Sequence, residues 1–225
     1  MQYKKVSKNN LPLNLRETHK PPQKIFYKGS WIEEGDVCIT IIGSRHPSNY
    51  GIRTCKKLIQ GLKGHGITII SGLAIGIDSI AHKEAMLNSI KTIAIPGSGI
   101  SNKVIYPRRN TLLAKEILDN GGCIASEFNI SDRALPWMFP VRNQTMAGLS
   151  KLIIVIEAKK KSGSLITAYS GLREGRDIAA VPGEIDSILS EGTNDLIKRG
   201  AYPITSSDDV LDILNIERKN YLHNM

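Results

Sequence analysis

Short aliphatic runs alternate with longer stretches of helical period along most of the chain. Residues 36–42, 67–70, 91–95, 123–126, 151–156 and 177–181 read as strands rich in Ile, Val and Ala. Hydrophobic positions recurring every three and four residues predict helices over 52–62, 77–87, 111–118, 142–148, 165–173, 193–198 and 208–214. The strands are almost uniformly apolar, as strands covered on both faces are. Strand and helix take turns, so the fold class is α/β: three layers, α/β/α, around a mostly parallel sheet. Right-handed crossovers then bring every strand-end loop to one rim.

Residues 1–35 depart from this pattern. Asn9-Asn10-Leu11-Pro12 and Lys20-Pro21-Pro22-Gln23 have linker chemistry. A small strand or hook is expected over residues 24–27, closed by Lys28-Gly29-Ser30, with Trp31 packing the arm onto the main domain. Disorder up to Pro22 is the competing reading. The chain therefore divides into an arm or linker at 1–35, a core at 36–215 and a tail at 216–225. At 225 residues it is long enough to bury that core without staples.

Charge narrows the partners. The formal net charge of +9 favours a polyanion, either nucleic acid or anionic lipid. No strongly basic amphipathic helix is present, which argues against lipid. No apolar run reaches the ~18 residues of a membrane span, and the early lysines lack the apolar stretch of a signal peptide. Cys38, Cys55 and Cys123 are odd in number and far apart, with no CxxC or zinc spacing. They read as free thiols in a reducing cytoplasm. The five histidines form no HExxH or HxH pattern, so no metal site is expected.

Four rim loops carry candidate chemistry. The first is Gly43-Ser44-Arg45 with Ser48: a glycine that lets a phosphate approach backbone, a hydroxyl, a guanidinium, and a helix start beyond. The second is Ser71-Gly72-Leu73-Ala74, with Asp78 and His82 four residues apart on one helix face. A general base is one reading of that pair; a structural Asp78–His82 contact is the expected one. The third is Gly97-Ser98-Gly99, followed by Tyr106-Pro107-Arg108-Arg109-Asn110. It is not GxGxxG, since Asn102 stands at the third glycine position. A tyrosine and two arginines before a helix suit base stacking and phosphate contact, or form a solvated basic turn. The fourth runs from Trp137-Met138-Phe139-Pro140-Val141-Arg142-Asn143 to Glu157 and Lys159-Lys160-Lys161-Ser162-Gly163-Ser164. Three lysines beside a Ser-Gly-Ser helix entrance make an anion site. No Walker A loop, GxSxG elbow or Ser-His-Asp order occurs.

In order and spacing these stretches resemble the Rossmann-type core of the DprA/Smf DNA-processing family. The resemblance is carried by Ile42-Gly43-Ser44-Arg45, Ser71-Gly72-Leu73-Ala74 with Gly76-Ile77-Asp78, and Gly97-Ser98-Gly99 with Tyr106-Pro107 and Asn110. It continues through Phe139-Pro140 with Arg142-Asn143, Ala147-Gly148-Leu149-Ser150, Glu157-Ala158, Ser162-Gly163-Ser164-Leu165 and Val181-Pro182-Gly183. It implies an extended Rossmann-like fold and a single-stranded DNA-binding protein of natural transformation. Such proteins protect incoming DNA and help load the RecA recombinase, usually as homodimers, without catalysis or cofactor. By position it implies DNA contacts at Arg45, Tyr106, Arg108, Arg109, Phe139, Arg142 and Asn143. Gly43, Ser44, Ser71, Gly72, Lys159, Lys160, Lys161, Ser162, Gly163 and Ser164 join them on their own chemistry. Cations would hold phosphates, and Phe139 or Tyr106 would stack a base. Arg45→Ala and Arg142→Ala are both expected to weaken DNA binding while leaving thermal stability nearly unchanged.

The chain departs from the family at two rim positions. Ile75 stands where Arg is common, and Gln144 stands where a further Arg commonly follows the Arg-Asn pair. Arg108, Arg109 and the lysine run offset these losses. The N-terminal helical domain and C-terminal winged helix of many relatives are not expected here. The alternative is a nucleotide-processing enzyme similar to LOG-type phosphoribohydrolases, or a nucleotide sensor on the same fold. Against it, Pro182-Gly183-Glu184 with Gly192-Thr193-Asn194 has the wrong spacing for PGGxGTxxE. A dimer surface is one use for Val210, Leu211, Ile213 and Leu214; capping the sheet is the other.

Overall fold

The computed structural model describes residues 2–33 and 35–218. Residues 219–225 of the expected tail lie outside the described residues. The elements run β1 (Lys4–Ser7), α1 (Leu13–Arg16), β2 (Lys24–Gly29), β3 (Val37–Ile42), α2 (Asn49–Gly61), β4 (Ile67–Ser71) and α3 (Ile77–Leu87). Then come β5 (Thr92–Ala94), α4 (Thr111–Asp119), β6 (Cys123–Ser126), α5 (Met138–Leu149), β7 (Leu152–Val155) and α6 (Gly163–Arg173). The last are β8 (Asp177–Ala180), α7 (Glu191–Lys198), β9 (Tyr202–Pro203) and α8 (Ser207–Ile213).

The nine strands among the described residues join one sheet, ordered β1-β2-β6-β5-β4-β3-β7-β8-β9. From β6 to β9 every pairing is parallel, while β1 and β2 add on antiparallel. The α/β class and the mostly parallel sheet are as expected. The core strands wind outward both ways from β3, the doubly wound order.

Alternate residues of each strand feed opposite cores. Cys38 and Ile42 of β3 face a cluster with Met146 of α5 and Leu165 and Ala168 of α6. Ile39 and Ile41 face Leu58 and Ile59 of α2, Ala81 of α3, and Val210 and Leu211 of α8. The helices therefore cover both faces of the central strands and keep β3 to β7 from water. Val210 and Leu211 are buried in that second cluster, and Ile213 and Leu214 pack against it. Residues 207–214 thus cap the sheet.

Residues 2–29 are built into this fold. β1 and β2 extend the sheet past β6, and Leu11, Leu15 and Ile25 are buried in the first core with Met146. Of the Asn-Asn-Leu-Pro stretch, Asn9 and Asn10 lie in a single 3-10 turn and Pro12 stands just ahead of α1. Several helices start earlier than the periodicity predicts, α2 and α5 by three or more residues. α2 begins at Asn49 because Ser48 caps it, its Oγ accepting from Gly51 N at 3.1 Å. α5 begins at Met138, since Pro140 in the first turn lacks only an N–H that has no helical partner anyway.

Candidate functional site

The strand order reverses at β3 and β7, and their carboxyl ends open the crevice where doubly wound sheets bind ligands. A cleft of about 430 Å³ lies there. One wall is the loop after β3, with Gly43, Ser44, Arg45 and His46. The opposite wall is the β7–α6 turn, from Lys159 to Ser164, with Ile166 and Thr167 of α6. The start of α5 contributes Phe139, Pro140, Arg142 and Asn143. A recess of about 110 Å³ adjoins it, sharing Arg45, Phe139 and Arg142 and adding Gly72, Ile75, Tyr106 and Arg109. Among the predicted residues, Ser71 and Arg108 line neither space. Ser71 is buried, its Oγ donating to Ile41 O at 2.7 Å. Arg108 lies exposed on a single turn ahead of α4.

The walls and the floor are electrically different. Arg45, Lys159, Lys160 and Lys161 are exposed and free to swing toward a ligand. Arg142 is 6% exposed. Its Nη1 donates to Gly72 O and to Ile95 O, the latter at 2.6 Å, and its Nε to Asn143 Oδ1 at 3.0 Å. It ties the ends of β4 and β5 to α5. Arg142→Ala is therefore not the stability-neutral change expected from sequence: it would strand two carbonyls and Asp78. Burial pulls the Arg142 guanidinium down to about 10, an effect the nearby Asp78 charge opposes. Asp78 is pushed up by burial, opposed by Arg142 and by the amides it accepts.

Those amides explain why Asp78 and His82 do not pair. Asp78 Oδ2 accepts from Gly72 N at 3.1 Å and Ala74 N at 3.3 Å, holding the loop after β4. His82 Nδ1 turns instead to Thr92 Oγ1 of β5 at 2.7 Å. Fully buried, His82 is driven down to about 3 and stays neutral. Asn110 is equally structural, donating to Leu73 O at 2.8 Å and Ser79 Oγ at 2.9 Å. Glu157 is buried at the carboxyl end of β7 and accepts from Ser48 N at 2.9 Å and from Ser48 Oγ. It fastens the start of α2 to β7 beneath the cleft.

Two features point at the ligand side. Phe139 is half-buried and meets Tyr106 edge-to-face, centroids 5.7 Å apart. Its ring lies over Gly97, where a Cβ would stand 2.6 Å from it, so any larger residue there would displace the ring. At α6, Ser164 Oγ donates to Gly43 O at 2.9 Å, joining the two walls. Ser162 precedes the helix, and its Oγ has no hydrogen-bond partner among the described residues. His46, Ala74, Ile166 and Thr167 also line the cleft. Helical spacing could have found the last two, three and four residues beyond Gly163; His46 and Ala74 sit in rim loops that the sequence marked, without being singled out themselves.

Fold and rim together define a doubly wound α/β protein with a basic cleft at its switch point. The chain belongs to the DNA recombination-mediator protein A family, whose model matches residues 2–215. It is 42% identical over 200 residues to DNA processing protein DprA of Streptococcus pneumoniae, covering 89% of this chain and 70% of that protein. It is 39% identical over 203 residues to Protein Smf of Escherichia coli, covering 90% of this chain and 54% of that one. The solved structure of the pneumococcal protein superposes with a TM-score of 0.87, over 94% of this chain and 74% of that one. DNA processing protein A of Helicobacter pylori, described for its single-stranded DNA binding mode, superposes with a TM-score of 0.82 at 27% identity. That match covers 95% of this chain and 96% of that one.

Proposed function

We propose that this chain binds single-stranded DNA along the cleft, without sequence preference, as a DNA-processing protein of transformation and recombination. One observation carries the reading: exposed Arg45 and Lys159–Lys161 face a half-buried, stackable Phe139 across one cleft. Cations that hold phosphates beside a ring that stacks any base are the chemistry of sequence-tolerant single-strand binding. The described binding mode of the Helicobacter pylori relative supports the same ligand.

In this reading Arg45, Arg109 and the three lysines hold phosphates. Gly43, Ser44, Ser162, Gly163 and Ser164 offer backbone and hydroxyl donors. Phe139 and Tyr106 stack bases, while Arg142, Asn143, Gly72 and Ser71 set the floor. Arg108 lies outside. The bound strand is protected and passed to the RecA recombinase by a cytoplasmic homodimer, with binding as the whole task of the cleft and no catalytic step. Among the described residues no helix is long and apolar enough to cross a membrane.

The test is a salt-dependent anisotropy titration of single-stranded against duplex DNA of equal length, with light scattering for mass. The single strand is expected to bind tighter, with affinity falling by about 0.7 log units per phosphate contact for each log unit of salt. Preference for duplex, or binding indifferent to salt, would overturn the reading; a monomeric mass would remove the homodimer from it.

A further inference from the structure

Trp137 lies outside the cleft and is 57% exposed. A large ring left in water forfeits burial that a core position would reward. Yet its setting is built. Phe128, itself buried, meets it edge-to-face with centroids 5.5 Å apart and planes at 89°. Their loop is pinned by Gly99 N to Asp132 O at 2.8 Å and Ser101 N to Ile130 O at 2.9 Å. Trp137 also stands at the entrance of α5, two residues before Phe139.

Two cations of the N-terminal arm, Lys8 and Lys24, lie on the same side. Residues 1–30 hold seven lysines and arginines and one glutamate, a net +6 of the total +9. They build β1 and β2. Phe26 pairs with Ser126, so Lys24 lies beyond the carboxyl end of β6, the strand that leads into Phe128. Lys24 Nζ sits 3.4 Å from Asn129 Oδ1 of that loop, and Arg133 of the same loop is exposed. Lys8 N donates to Gln23 O at 2.9 Å, which keeps Lys8 at this end too. A fixed, open indole among cations can take a base on its face and phosphates beside it.

We infer that the nucleic-acid track continues past Phe139, over Trp137, to Lys24 and Arg133, forming a second subsite for single-stranded DNA. This rests on the single-strand reading of the cleft. One base stacks on Trp137, and Lys24 and Arg133 hold the flanking phosphates.

The chain has two tryptophans, so Trp31→Phe leaves Trp137 as the only indole, read selectively by excitation beyond the tyrosine absorption. That protein is titrated with oligothymidylates of about 6 and about 20 nucleotides, bracketing a single site and an extended one. The long oligonucleotide is expected to quench Trp137 and the short one to bind without quenching. Trp137→Ala should weaken the long one about tenfold and leave the short one unchanged. Lys24→Ala with Arg133→Ala should flatten the long oligonucleotide's salt slope by about 1.4. Long-oligonucleotide binding that neither quenches Trp137 nor depends on it overturns the second subsite, while short-oligonucleotide binding preserves the cleft. If neither binds, the cleft reading falls and this inference with it. A duplex that quenches equally overturns the single-strand assignment.

Discussion

Arg142 and Asp78 meet at Gly72: the guanidinium donates to its carbonyl, and the carboxylate accepts from its amide at 3.1 Å. Opposite charges bracket one residue at the end of β4, and each eases the other's burial. A Cβ at this position would stand 2.1 Å from Nη1 and 2.7 Å from Oδ2.

Gly72→Ala is therefore expected to cost about 1–3 kcal/mol by overpacking. Arg142→Ala is expected to cost about 3–5 kcal/mol, because it leaves a buried carboxylate without its counter-charge. Urea unfolding measures both. An Arg142→Ala protein as stable as the parent would refute the clamp.

Arg45 is the contrasting arginine, exposed on the cleft wall. Arg45→Ala should change stability by no more than about 0.5 kcal/mol. It should flatten the salt dependence of single-strand binding by about 0.7, one phosphate contact. Anisotropy at several salt concentrations reads this directly, and an unaltered slope would mean Arg45 touches no phosphate.

Phe139 separates stacking from bulk. Phe139→Leu fills similar space without a π face, and should lose about 1–3 kcal/mol of oligonucleotide affinity. Phe139→Tyr should retain most of it. Equal affinities for the two variants would show that the ring serves only the contact with Tyr106.

His82 predicts an acid-sensitive fold. Its folded value is about 3 against 6.5 for an ordinary imidazole. Below about pH 6.5 the unfolded chain takes up a proton that the folded chain refuses, so stability falls as pH drops toward about 3. Asp78 and Glu127, both raised by burial, act in the opposite sense: they favour the fold in acid and lose that contribution as pH rises. Comparison with His82→Asn isolates the imidazole. Between about pH 7 and 5 the parent should lose on the order of 2 kcal/mol more than the variant. Parallel denaturation profiles would contradict a neutral buried histidine.

The parallel strands were legible because strands covered on both faces are written as unbroken aliphatic runs, and β4 and β6 end in small residues that mark the rim. β1 was not legible. Of Lys4-Lys5-Val6-Ser7 only Val6 turns inward, and the strand exists because β2 offers it a partner. The floor of the cleft was hidden for a related reason. Residue type says that Arg142 carries a charge; only the arrival of carbonyls from 70 and 47 residues away shows that the charge is already engaged. Spacing placed Asp78 and His82 on one face, but the loop amides and Thr92 were better partners than either was for the other.

The margins of the sheet carry a further consequence. A bare strand edge invites another chain to add to it. At one margin β1 presents exposed Lys4 and Lys5, which repel a copy of themselves. At the other, β9 is two residues long and one is Pro203, which has no N–H to give. Both margins of the sheet are therefore poor templates for the strand-on-strand growth that leads to fibrils.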